Sequence, residues 1–422
     1  MADLLEHEER SHLDDHDSSG STTVGSRVRI RIASSIAPIL SHCFSFLGYM
    51  FVVFALVAAT LEFASWAIWS VFPITRPVEL RDEASPVYAG VPWAKEFWRE
   101  ELSRRAANGN YVPFRLWGVK DWHGKYINND AGVGGFWRRT ANPANCGASH
   151  SMTVWTFGGS TMYGTAAPDW ATIPSYLSHD LNAAFQSCVI VSNYGVEGYV
   201  SDQEVILLAD QLKAGGHPDI VILYDGVNDS LMAWPPSGPP LPHFAFEKIK
   251  NRVEGSLSGR LDFLKESYAA RLAQQGWVRL HAAKSYGPLI AAAQPNVIAV
   301  LDNYEANMKL VRALGEVYKF KPYCFWQPIV TYGHKPLVPF EQQMVARDTS
   351  GTSAKSAWFL TGVAVYRNAE RDAARDGQFI FLGGVFDSTA DPLYADEAHL
   401  GPRGNEIVAQ AIAGYIQDHR DH

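Results

Sequence analysis

The chain has 422 residues, of which 47% are hydrophobic, 12% aromatic and 19% charged, and its formal net charge is −8. That composition can bury the core of one large domain or two small ones. The acidic balance removes the electrostatic basis for nucleic-acid binding, and four cysteines do not make a disulfide scaffold.

Residues 1–34 read as a disordered tail. Glu6 to Asp17 is acidic and interleaved with His7, His12 and His16, and Ser18 to Ser26 is rich in Ser, Gly and Thr. The three histidines lack cysteine partners and regular ligand spacing, so no metal is expected there. From Ile32 to Leu61 there is no Asp, Glu, Lys or Arg, a run longer than the ~20 apolar residues that cross a bilayer. Ser35 can cap a helix whose first turn holds Pro38. The span is expected near 38–61, with Glu62 at an interface and Trp66 and Trp69 in the aromatic belt, so that 35–72 form the membrane helix and its flank. Arg27, Arg29 and Arg31 precede it and predict a cytoplasmic N-terminus, with the body of the protein outside the cytoplasm. Disulfides are then permitted. Cys146 and Cys188 each fall before or at the start of a predicted strand, and either a Cys146–Cys188 bridge or two buried thiols fits them.

Residues 73–150 read as an irregular cap or linker dense in Trp93, Trp98, Trp117, Trp122 and Trp137. Packing is the expected role, with a carbohydrate-stacking surface as the alternative. From 151 onward strands and helices alternate. Met152–Phe157, Cys188–Ser192, Ile220–Tyr224, Pro322–Trp326 and Phe379–Leu382 read as strands. Helical patterns cover Ile173–Phe185, a stretch opened by a Ser201/Glu204 capping box, Glu305–Tyr318, Ala354–Arg375 and a last helix from Pro402. This alternation implies a parallel sheet covered by helices within 151–422. Residues 231–295 interrupt it: Trp234–Pro240 is too rich in Pro for regular structure, and the charged helical stretch after it reads as an insertion that could act as a lid.

Four blocks carry the chemistry. Ser160 follows the first strand after Gly158-Gly159, at the carboxyl edge where functional groups gather in such sheets. Gly198, after the second strand, can offer a bare backbone N–H to an oxyanion; Gly195 could do so too, but its position suits a turn better. Asn228, after the third strand, can add a side-chain amide. Asp396 and His399, just before the last helix, supply a base and the group that orients it.

This set resembles the SGNH hydrolase superfamily, the GDSL esterases and lipases, whose invariant Ser, Gly, Asn and His fall here on Ser160, Gly198, Asn228 and His399. The segment Trp122-His123-Gly124-Lys125-Tyr126-Ile127-Asn128 is similar to segments in membrane-anchored bacterial members. Gly159 stands where many members have Asp. The resemblance implies a three-layer α/β/α sandwich, flavodoxin-like, with about five parallel strands. It implies Ser160 as nucleophile, His399 as base oriented by Asp396, and an oxyanion hole of the Ser160 and Gly198 N–H groups and the Asn228 amide, with no cofactor. The expected function is hydrolysis of O-acyl, chiefly O-acetyl, esters on an envelope or secreted polysaccharide by a periplasmic domain anchored in a bacterial inner membrane. Acyl transfer by the same triad and non-catalytic glycan binding or assembly are the alternatives.

Overall fold

The computed structural model describes residues 24–71, 85–144, 151–255, 267–280 and 286–419, apart from 108, 133–134, 186, 235 and 237. The tail with His7, His12 and His16 lies outside the described residues, as does Cys146. The chain divides into two compact units, 1–74 with 264–274, and 75–263 with 275–422.

In the first unit a helix of 48 residues runs Val24–Val71. It contains an exposed apolar stretch, Ser41–Ile68, long enough to cross a membrane. The helix begins before Ser35 and continues through Pro38 rather than starting there. In an apolar run the proline removes one backbone bond, but unwinding would strip many more. Glu62 has an unexpected role. Its carboxylate accepts the backbone N–H groups of Tyr268 (2.7 Å) and Ala269 (3.1 Å), capping helix Tyr268–Leu280.

The second unit is built on a sheet of ten strands less one outlying hairpin, β1 (Asn110–Val112) with β2 (Leu116–Gly118). The main sheet holds β3 (Trp122–His123), β4 (Asn128–Gly132), β5 (Gly135–Arg138), β6 (Met152–Gly158), β7 (Val189–Asn193), β8 (Ile220–Asp225), β9 (Lys321–Trp326) and β10 (Ile380–Phe381). Their order is β10-β9-β8-β6-β7-β5-β4-β3. The strands from β6 to β10 pair in parallel, whereas β3, β4 and β5 add an antiparallel extension. The five expected strands do pair in parallel, but β3–β5 extend them into a mixed, eight-stranded sheet. The extension comes from the Trp-rich segment read as irregular. Its strands are short and polar, as in Asn128-Asn129-Asp130, so hydrophobic alternation does not mark them.

Helices cover both faces. Ile173–Phe185 and Pro402–Asp418 pack on one, through Leu177, Leu181, Val408 and Ile412. Ser201–Lys213, Gln294–Tyr318 and Ala354–Asp376 cover the other, through Leu208, Val297, Tyr304 and Tyr366. Burial on both sides explains why every residue of β8 is buried and why it reads Ile-Val-Ile-Leu-Tyr. Gln294–Tyr318 starts before Glu305 because Pro295 suits a first turn. Ser201 is not a cap: its hydroxyl donates to Asp229 Oδ1 at 2.6 Å, and Glu204 is buried. Cys188 is disulfide-bonded, while Cys43 and Cys324 are free.

Candidate active site

The parallel strands end on one edge, and their next residues meet there. β6 runs directly into Gly159 and a one-turn helix, Ser160–Tyr163. β8 runs into Gly226 and helix Val227–Leu231, which carries Asn228. The two turns touch: a Cβ on Gly159 would lie 2.3 Å from Asn228 Nδ2, so a larger residue would displace that amide. Asn228 Nδ2 donates one proton to Tyr199 O at 2.7 Å, which leaves its second N–H for a ligand.

The loop before the last helix brings its base to the serine. His399 Nε2 lies 2.6 Å from Ser160 Oγ, and His399 Nδ1 lies 2.8 Å from both oxygens of Asp396. Asp396 Oδ1 also accepts the backbone N–H groups of Ala398 (3.0 Å) and His399 (2.8 Å). Four contacts thus fix the carboxylate, and the carboxylate fixes the imidazole.

Ser160, Gly198, Asn228 and His399 line one cleft of about 570 Å³, together with Arg105, Phe244, Lys355, Trp358 and Phe359. Gly198 sits at φ +76°, a left-handed conformation that favours glycine. Gly195 is excluded from the same part, since its N–H donates to Asn193 Oδ1 at 2.9 Å. Phe244 comes from the insertion and packs edge-on against Trp358, so this part of the insertion walls the cleft.

Several positioning residues were not legible in the sequence. Arg138, fully buried at the end of β5, bonds Asp169 Oδ1 (3.0 Å) and the carbonyls of Tyr163, Gly164 and Ala167. It thereby clamps the chain that follows Ser160. Asn128 Nδ2 donates to the other oxygen of Asp169 at 2.8 Å. In the same segment, the Glu100 carboxylate accepts the N–H groups of Lys125, Tyr126 and Ile127, in space that a Cβ on Gly124 would fill. The Trp122–Asn128 block thus supports the serine turn from behind.

Two buried acid groups flank the site. Glu197, next to Gly198, would be raised by burial, but Arg104 and Arg105, with hydrogen bonds from Arg104 and Thr165, hold it down at about 2. Glu204, Asp225 and Asp229 lie behind the Asn228 turn. Burial pushes Glu204 well up, Asp225 to about 8 and Asp229 to about 6, the last offset in part by Ser201. Neither oxygen of Glu204 has a cation or N–H to receive.

No protein-family model matches this chain, and no curated protein matches it significantly. Among solved structures, it is similar to an α/β hydrolase from the metagenome of Lake Arreo, Spain (14% identity, 64% of this chain and 97% of that one, TM-score 0.32). It is also similar to an acetylxylan esterase from Geobacillus stearothermophilus (15%, 64% and 95%, TM-score 0.31). A third is a GDSL-like lipase from Bacteroides thetaiotaomicron (13%, 63% and 88%, TM-score 0.30). Likenesses this distant carry no residue role over to this chain.

Proposed function

We propose that this protein is a serine esterase of the SGNH kind. One observation carries the reading: the run of contacts from Asp396 through His399 to Ser160, at 2.8 and 2.6 Å, within a single cleft. A serine hydroxyl becomes a useful nucleophile only when a positioned base takes its proton, and a carboxylate on the far imidazole nitrogen keeps the base in the right tautomer.

Ser160 Oγ attacks the ester carbonyl carbon as His399 Nε2 takes its proton. The oxyanion that forms is met by the Ser160 N–H, free at a helix start, the Gly198 N–H and the second amide proton of Asn228. Collapse breaks the ester C–O bond, and His399 returns the proton to the departing alcohol. Water, deprotonated by the same base, then attacks the acyl-enzyme and releases the acid.

The wall favours a short acyl group on a polar carrier. Arg105, Lys355, Glu197 and Glu397 surround the cleft, and its aromatic side is limited to Phe244, Trp358 and Phe359. We take the substrate as an O-acetylated envelope or secreted polysaccharide, met by a domain held outside the cytoplasm through the 41–68 helix. The orientation follows from Arg27, Arg29 and Arg31.

Fluorophosphonate labelling of the full-length protein in detergent tests the reading. Labelling should be strong in the wild type and lost in Ser160→Ala and His399→Ala. A folded wild type that does not label would overturn it.

A further inference from the structure

The tryptophans of the Trp-rich segment divide by their neighbours. Trp98 is buried, Trp93 packs edge-on against Phe97, and Trp137 packs edge-on against Tyr194. Trp117 packs edge-on against Tyr199 and His243 as well, yet it and Trp122 line a second cavity of about 220 Å³. It adjoins the catalytic cleft, since Arg105 and Glu197 wall both. Trp117 Nε1 donates to Glu197 O at 2.9 Å, which ties the cavity wall to the residue before Gly198.

The polar lining selects among ligands. Arg104 and Arg105 are each paired with Glu101 and Glu197, and Lys120 Nζ donates to Ala107 O at 2.8 Å. The two arginines are already neutralised by carboxylates and the lysine is held by a carbonyl, so an anion gains little from the arginine wall. An acyl chain would strip water from charged groups without replacing it. Asn129 also lines the cavity and is fully buried. Its Oδ1 accepts from the Tyr163 hydroxyl at 3.0 Å, yet its Nδ2 has no acceptor. A buried donor without an acceptor is costly, and a ligand hydroxyl would supply one.

Indole surfaces, paired charges and an idle amide donor suit a neutral ring rich in hydroxyls. The C–H face of such a ring lies on an indole while its hydroxyls meet the amide and the edges of the ion pairs. We propose that this cavity is a sugar subsite, which holds a neutral glycan residue beside the one whose ester reaches Ser160. The inference deepens the esterase reading but is tested without turnover.

Full-length Ser160→Ala protein in detergent is titrated calorimetrically with cellohexaose and with O-acetylated xylohexaose. At least one should bind. Trp122→Leu, which keeps apolar bulk but removes the ring, should weaken binding about tenfold or more; Trp122→Phe, which keeps an aromatic face, should stay within about threefold. Melting curves of both variants establish that they fold. Binding of neither sugar, or equal binding by Trp122→Leu, would overturn the subsite. A folded wild type that fails to label, with sugar binding intact, would remove the esterase reading and leave the subsite standing.

Discussion

Two groups of buried carboxyls lie on either side of the catalytic turns, and they behave in opposite ways. Glu101 and Glu197 meet Arg104 and Arg105 at 2.7–3.4 Å, and Glu197 stays ionised down to about pH 2. Glu204 and Asp225 meet no cation, and burial raises both, Asp225 to about 8. Glu197 is only part-buried, with about 29% of its side chain exposed, but desolvation pushes it up as it does Glu204 and Asp225, so the counter-ion decides the direction of the shift. Asp396 is a third case, buried against an imidazole and two backbone N–H groups. The chain gives acids cations or N–H donors where they hold a loop or orient a base, and leaves Glu204 without either beside the core.

The sharpest way to test the contrast is at Asp396. Asp396→Asn should lower kcat on a soluble ester such as p-nitrophenyl acetate by about 10³–10⁴-fold, because an amide favours the wrong imidazole tautomer. A drop below tenfold would mean that the carboxylate does not orient the base. Next, Arg104→Met should cost about 1.5–3 kcal/mol in urea unfolding, since buried Glu101 loses its bidentate partner and keeps only Arg105. A loss under about 1 kcal/mol would break the comparison.

The neutral side predicts a pH slope. The folded pKa of Asp225 is raised, so between about pH 4 and pH 8 the native state holds a proton that the unfolded chain has released. Stability is full below that window and falls as pH rises through it. Asp225→Asn should flatten the fall in Tm between pH 5 and pH 8, and an unchanged slope would contradict the assignment. The smallest effect is expected at Glu197, whose depressed pKa gives stability that is present above about pH 4 and lost towards pH 2. Glu197→Gln should blunt that acid limb by lowering Tm modestly at pH 8 while leaving Tm near pH 2 within a few degrees.

The difference between what was and was not legible in the sequence follows the range of the interactions. Ser160, Gly198 and Asn228 announce themselves because each closely follows an apolar strand, and Asp396 and His399 because they stand just before the last helix, both local patterns. The register of β6 against β7 and β8 then brings them together. Arg138 gave no such signal. Its meaning lies in carbonyls 25 to 29 residues away and in Asp169, 31 residues away. The extension β3–β5 was missed for the same reason, since pairing with β7 at Arg138 and Asn193, not its own pattern, makes it part of the sheet. Trp122 was noticed as one tryptophan among several and as the start of the Trp122–Asn128 segment, but not as a cavity wall. Whether a given indole packs or lines a cavity depends on neighbours that spacing does not encode.

Glu62 sets a practical condition on anyone preparing this protein. Deleting the apolar helix to obtain a soluble protein also removes the carboxylate that receives the amide hydrogens of Tyr268 and Ala269, 206 and 207 positions downstream. The truncated chain would then begin helix Tyr268–Leu280 with bare donors, and hydrogen exchange at those two amides should quicken. The apolar helix and the start of helix Tyr268–Leu280 are joined through this one carboxylate, so a shortened protein would report on both.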